Sequence, residues 1–137
     1  MARSRLLTLL LIPLAFMLMG ARGAPLVDPA PLAVPAGLTM KDVSKAIRTG
    51  IATRGWVVNK DEKGQIDATL NNREHQVVIA IVYDTKQVKV NYVSSENMNY
   101  SEKNGTRYIH KKYTQWTQNV VADINKELQV AGVRAEK

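Results

Sequence analysis

The chain has 137 residues, 19 Lys and Arg against 12 Asp and Glu, a net charge of +7 and no cysteine. That length gives one ordinary domain with a core of its own. The missing cysteine excludes disulfide staples, a thiol nucleophile and anchoring through a lipidated cysteine.

Residues 1–23 read as an export signal. Arg3 and Arg5 form a positive leader, Leu6 to Met19 an apolar run of 14 residues, and Ala21-Arg22-Gly23 the small residues that precede a cleavage point. The run is shorter than the roughly 20 residues that a spanning helix needs. Cleavage after Gly23 leaves Ala24 first and removes Arg3, Arg5 and Arg22, so that 16 basic residues face 12 acidic ones at net +4. The expected product is soluble, periplasmic or secreted, with no stable membrane anchor after cleavage.

Residues 24–38 hold Pro25, Pro29, Pro31 and Pro35 among alanines, a composition that favours extended polyproline-like chain, and read as a tether. A single domain is expected over 39–131, with a tail at 132–137. It opens on Thr39, a helix N-cap type with Asp42 three residues on. Val43, Ala46, Ile47 and Ile51 then follow at helical spacing up to Gly55.

From Trp56 the period becomes two, and turns at Asp61–Gly64, Asn71–Glu74 and Asp84–Gln87 divide the stretch into four strands. Pairing Lys60 with Ile66, Leu70 with His75 and Tyr83 with Val88 collects Trp56, Val58, Ile66, Ala68, Leu70, Val77, Ile79, Ile81, Tyr83, Val88, Val90 and Tyr92 on a core face. Ser94 to Arg107 reads as an irregular loop. A final helix over 108–130 carries Ile109, Tyr113, Trp116, Val120, Ile124 and Leu128 in one stripe and stops at Gly132. The expected class is α+β: a two-layer sandwich in which a four-stranded antiparallel meander carries the N- and C-terminal helices on one face.

No nucleophile elbow, phosphate loop or metalloprotease signature is present, so no catalytic residue is assigned. Two histidines, His75 and His110, are too few to suggest a metal site, and no cofactor motif appears. The basic residues are scattered instead of striped, which argues against nucleic acid as a partner.

The concentration of interest is at one sheet end. Arg73, His75, Ser95, Asn97 and Tyr100 are expected to meet His110, Tyr113 and Trp116 there, a mixture of aromatics and fixed donors that suits a binding site. The same register puts His75 opposite Glu96. The competing structural reading makes Tyr113 and Trp116 core residues and gives Ser95, Asn97 and His110 the task of pinning the loop. Val57, Val78, Ala80, Val82 and Val93 form an apolar set on the opposite face, a candidate interface for a partner or a homodimer.

Arg54-Gly55-Trp56, Gly64-Gln65-Ile66, Arg73-Glu74-His75, the run Val77 to Tyr83, Ser95-Glu96-Asn97 with Tyr100, and Ile109 to Trp116 together resemble a family of small proteobacterial envelope proteins. Its members carry lipoprotein or signal-peptide labels. The resemblance covers about Val43 to Leu128 and implies an envelope location without implying an activity. This chain departs from the lipoprotein members in lacking their cysteine. The expected role is a non-enzymatic binding or accessory module engaging an envelope protein or small ligand. The alternatives are a small hydrolase using His75 and His110, or a structural component that self-associates.

Overall fold

The computed structural model describes residues 23–137, so the expected export signal lies, apart from Gly23, outside the described residues. The described chain is α+β, with two helices and two antiparallel sheets. In chain order it runs β1 (Ala24–Pro25), β2 (Leu32–Ala33), α1 (Met40–Ala52), β3 (Val57–Glu62), β4 (Gln65–Asn72) and β5 (His75–Tyr83). Then come β6 (Gln87–Glu96), β7 (Ser101–Lys103), β8 (Thr106–Ile109) and α2 (Lys112–Ala135). One sheet has five strands in the order β2-β6-β5-β4-β3 and the other three in the order β1-β8-β7, in place of the single four-stranded sheet expected.

The expected tether is instead a structural strap. β1 pairs with β8, and β2 extends the large sheet along β6. Leu26 and Leu38 are buried in the core, with Leu32 and Val34 packed against it. Asp28 fastens the strap between the sheets: one carboxylate oxygen accepts the Tyr92 N–H at 3.0 Å, and the other lies 3.8 Å from Arg107. Proline favours extended chain, but these prolines are interleaved with leucines that reach the core.

Thr39 and Asp42 cap α1 reciprocally: the Thr39 hydroxyl accepts the Asp42 N–H at 3.1 Å and the Asp42 carboxylate accepts the Thr39 N–H at 2.9 Å. Gly55 follows with φ 85°, the left-handed turn that ends the helix. Midway along, Gly50 faces α2 so closely that a Cβ there would lie 3.0 Å from the Ile124 Cα and N. Arg54 then clamps the helices together through Asp123 at 2.6 Å.

The second helix starts later and ends later than its stripe suggests. Gly132, expected to stop it, lies buried inside α2, where a Cβ would come within 2.9 Å of Pro35. The missing side chain makes room for the strap.

The Tyr83–Val88 pairing is observed, and two bulges and a shorter turn alter the rest. An extra residue at Asn59 makes Asp61, not Lys60, the partner of Ile66. A two-residue turn at Arg73-Glu74 pairs Leu70 with Val77, two residues from the expected partner and therefore on the same face. A second extra residue at Val93 pairs Gln76 with Glu96, so His75 meets the main chain at Asn97 instead of the Glu96 side chain. Val58 faces the core side opposite Ala68 but stays 37% exposed at the sheet's edge, and Tyr92 is half-buried.

The expected loop after β6 is mostly a hairpin. Asn104 and Gly105, both at positive φ, turn β7 into β8. Of the expected interface set, Val57 is 58%, Val82 41% and Val93 52% exposed, whereas Val78 is half-buried and Ala80 is buried.

Two substitutions test this packing. Gly50→Ala is expected to destabilise the protein by ~1–3 kcal/mol, because backbone rather than a movable side chain opposes the new methyl. Urea unfolding checks it, with the exposed neighbour Thr49→Ala as the control that should change little. Asp28→Ala should cost ~1–3 kcal/mol by leaving the part-buried Tyr92 N–H unpaired, and Asp28→Asn should recover much of the loss. An Asp28→Ala protein with unchanged unfolding would show that the strap is not fastened at this point.

Candidate functional site

Three segments meet at the end of the sheet that carries His75. The last residues of β6 leave the sheet through Asn97, whose left-handed φ of 56° suits asparagine and turns the chain toward Met98. Its side-chain amide donates to the Glu74 carbonyl at 2.8 Å, tying this exit to the β4–β5 turn. Met98 is buried, and its carbonyl accepts the His110 N–H at 2.7 Å. His110 thus arrives beside His75, with ring centroids 5.7 Å apart, and the Trp116 ring stands 6.2 Å from His75.

The hydrogen bonds assign a proton to each imidazole. His75 Nδ1 lies 2.6 Å from the Asn97 carbonyl oxygen, which can only accept, so Nδ1 carries hydrogen and Nε2 keeps a lone pair in the neutral ring. Conversely, the Lys112 N–H donates to His110 Nδ1 at 3.1 Å, so the neutral His110 ring carries its hydrogen on Nε2. The two free ring nitrogens therefore have opposite polarity, one acceptor and one donor. A metal held by both is disfavoured, since ligation through His110 Nε2 would cost the bond at Nδ1. Among the described residues, no cluster of three or more metal-ligating side chains occurs.

That Lys112 bond also starts α2. The helix has no Ser, Thr, Asp or Asn cap, and Lys111 at the cap position makes no side-chain bond, so the His110 ring satisfies one of the orphan N–H groups. Burial of the ring, then the facing His75, then Lys112 and Lys111 lower the His110 pKa from its ordinary 6.5.

Other expected members form a separate aromatic group. Tyr100 stacks on Tyr92 at 5.2 Å, the Tyr92 hydroxyl shares a 2.8 Å hydrogen bond with Ser95, and Arg107 lies over the Tyr92 ring at 6.0 Å. Tyr113 presents an edge to Tyr92 at 5.6 Å and is completely buried, its hydroxyl lacking a partner among the described residues. Burial, reinforced by Asp28 and Tyr92, pushes the Tyr113 phenol well above the ordinary tyrosine range. Tyr113 is a core residue and cannot meet a ligand in this conformation. Arg73 occupies the tip of the β4–β5 turn, exposed and at φ 57°.

The structure thus brings His75, Asn97, His110 and Trp116 together, groups Ser95 and Tyr100 around Tyr92, and places Arg73 at the rim. It also reveals a cleft of about 380 Å³ beside Trp116, lined by Arg54, Trp56, Asn72 and Asn119 among others. The sequence reading missed these as site residues. One signal was present: Asn119 lies three residues after Trp116, on the same helix face. No protein-family model, curated protein or solved structure matches the chain. The chemistry of the corner therefore carries the functional reading.

The pH dependence follows from His110. Its folded pKa lies below 6.5, so the unfolded chain binds more protons as pH falls through that value, and stability drops on acidification. Protonation at Nδ1 also removes the cap and puts a cation at the positive end of α2. The His110 ring is expected to titrate below a free histidine by NMR. The urea midpoint should fall more between about pH 7 and about pH 5 in the wild type than in His110→Asn, which keeps an acceptor without the titration. Equal slopes would overturn this account.

Proposed function

We propose that the chain is an exported protein, periplasmic or secreted after cleavage at Gly23, that serves the cell envelope as a non-enzymatic binding module. Its binding surface is the corner of His75, His110 and Trp116. One observation carries this reading: two half-buried imidazoles offer an acceptor and a donor side by side, next to a half-buried indole. A few fixed polar groups beside an aromatic wall orient a ligand.

The features that support binding over hydrolysis are equally specific. His75 gives its Nδ1 hydrogen to a main-chain carbonyl, so no carboxylate backs it as a base. The neighbouring Ser95 hydroxyl is engaged with Tyr92 and has no hydrogen bond to either ring among the described residues. Export is supported by the charged leader, the short apolar run and the small residues before Ala24. The resemblance to small envelope proteins points the same way. No described helix is long and apolar enough to cross a membrane.

Protein recovered from an envelope fraction is expected to begin at Ala24 by mass spectrometry. Its His75, His110 and Trp116 ring resonances should shift on adding desalted envelope extract and return on dialysis. An intact Met1 would refute the export reading, and unchanged spectra would refute the binding site. A hydrolytic turnover lost in His75→Ala at unchanged melting temperature would replace binding with catalysis.

A further inference from the structure

The cleft beside Trp116 has a lining that restricts what can occupy it. At about 380 Å³ it falls within the roughly 300–1,000 Å³ range of small-molecule sites. Trp56 and Leu70, both buried, contribute apolar surface, and α2 supplies Trp116 and Asn119. The end of β4 supplies Asn72, the register partner of His75, so the cleft and the imidazole corner share one rim.

Charge is the first discriminator. The one charged side chain in the lining, Arg54, is paired through Nε with Asp123 at 2.6 Å, so the lining itself presents no unpaired charge and suits a neutral ligand. Polarity is the second. The side-chain amides of Asn72 and Asn119 make no hydrogen bond to protein among the described residues, and each offers both a donor and an acceptor. A purely apolar occupant would strip water from these amides and return nothing. Shape is the third, because the half-buried Trp116 gives the cleft an aromatic wall whose π face carries partial negative charge.

A pyranose ring meets all three conditions. Its axial C–H bonds present partial positive charge to an indole face, its equatorial hydroxyls project outward around the ring and both donate and accept, and a neutral sugar carries no net charge. We infer that this cleft binds one sugar ring of a neutral glycan, stacked on Trp116 and hydrogen-bonded by Asn72 and Asn119, with the His75 and His110 nitrogens at the rim for a neighbouring hydroxyl. This inference rests on the binding-module reading and gives it a ligand class.

Two uncharged trisaccharides serve as probes, chitotriose with N-acetyl groups and maltotriose without them. Saturation transfer from protein to the ring C–H protons of at least one is expected, with a shift of the Trp116 indole N–H. The probe that binds tells an amino-sugar glycan from a plain hexose polymer. Trp116→Ala should weaken binding about ten-fold or more, the equivalent of ~1.4 kcal/mol. Asn72→Ala and Asn119→Ala, which leave the aromatic packing in place, should each weaken it several-fold, so the test survives if Trp116→Ala fails to fold. Absence of transfer to either trisaccharide at millimolar concentration overturns the sugar assignment. If a tryptic digest of envelope proteins then shifts the Trp116 resonance, the binding module stands with a peptide ligand; if the resonance is silent to the digest as well, both readings fall.

Discussion

The approach of the two helices at Gly50 sets the geometry of everything on the helical side. With no side chain at that position, α1 comes within van der Waals reach of the α2 main chain at Ile124 and Asp123. The Arg54–Asp123 pair, 2.6 Å long, then limits sliding along the contact. An ion pair this exposed contributes little stability by itself, so the close packing dominates and the pair registers it. Trp116 lies two helical turns before Ile124, and its placement beside Trp56 and Leu70 is a consequence of that seating. A larger residue at position 50 would therefore act on the cleft at a distance, by lifting the helix that carries one of its walls.

At the imidazole corner, structural and chemical roles coincide in the same atoms. His110 caps α2 with one ring nitrogen and faces His75 with the ring that remains. His75 holds the Asn97 turn with Nδ1 and keeps Nε2 for other use. The proton positions that make the corner a donor beside an acceptor are thus fixed by backbone groups, which do not titrate.

Much of the fold was legible where one local rule acted alone. The Thr39–Asp42 box, the Gly55 terminus and the Tyr83–Val88 turn each follow from residue chemistry within a few positions. The misreadings have long-range causes. The prolines of residues 24–38 looked like a tether because proline composition says nothing of Leu26 and Leu38 reaching a core assembled from later strands. Gly132 looked like a stop because its partner, Pro35, lies nearly a hundred residues away in sequence. Extra residues at Asn59 and Val93 leave no mark in an alternating pattern, yet the second moves His75 from Glu96 to Asn97. The β7–β8 hairpin was different, since Asn104-Gly105 is a strong turn signal that a polar segment concealed. Of the site, the histidines, Asn97 and Trp116 were readable as a group, whereas the cleft needed the helix seating and was not.

The strap also constrains the timing of folding. Residues 24–38 are made early in synthesis, but their hydrogen-bonding partners are Val88, Tyr92, Arg107 and Ile109, and their packing partner Gly132 comes later still. As the chain lengthens, this segment cannot pair until β6 and then β8 have been made, and its contact with Gly132 waits for the last helix. The strap's contacts are therefore long-range throughout, and they are among the last that the growing chain can complete.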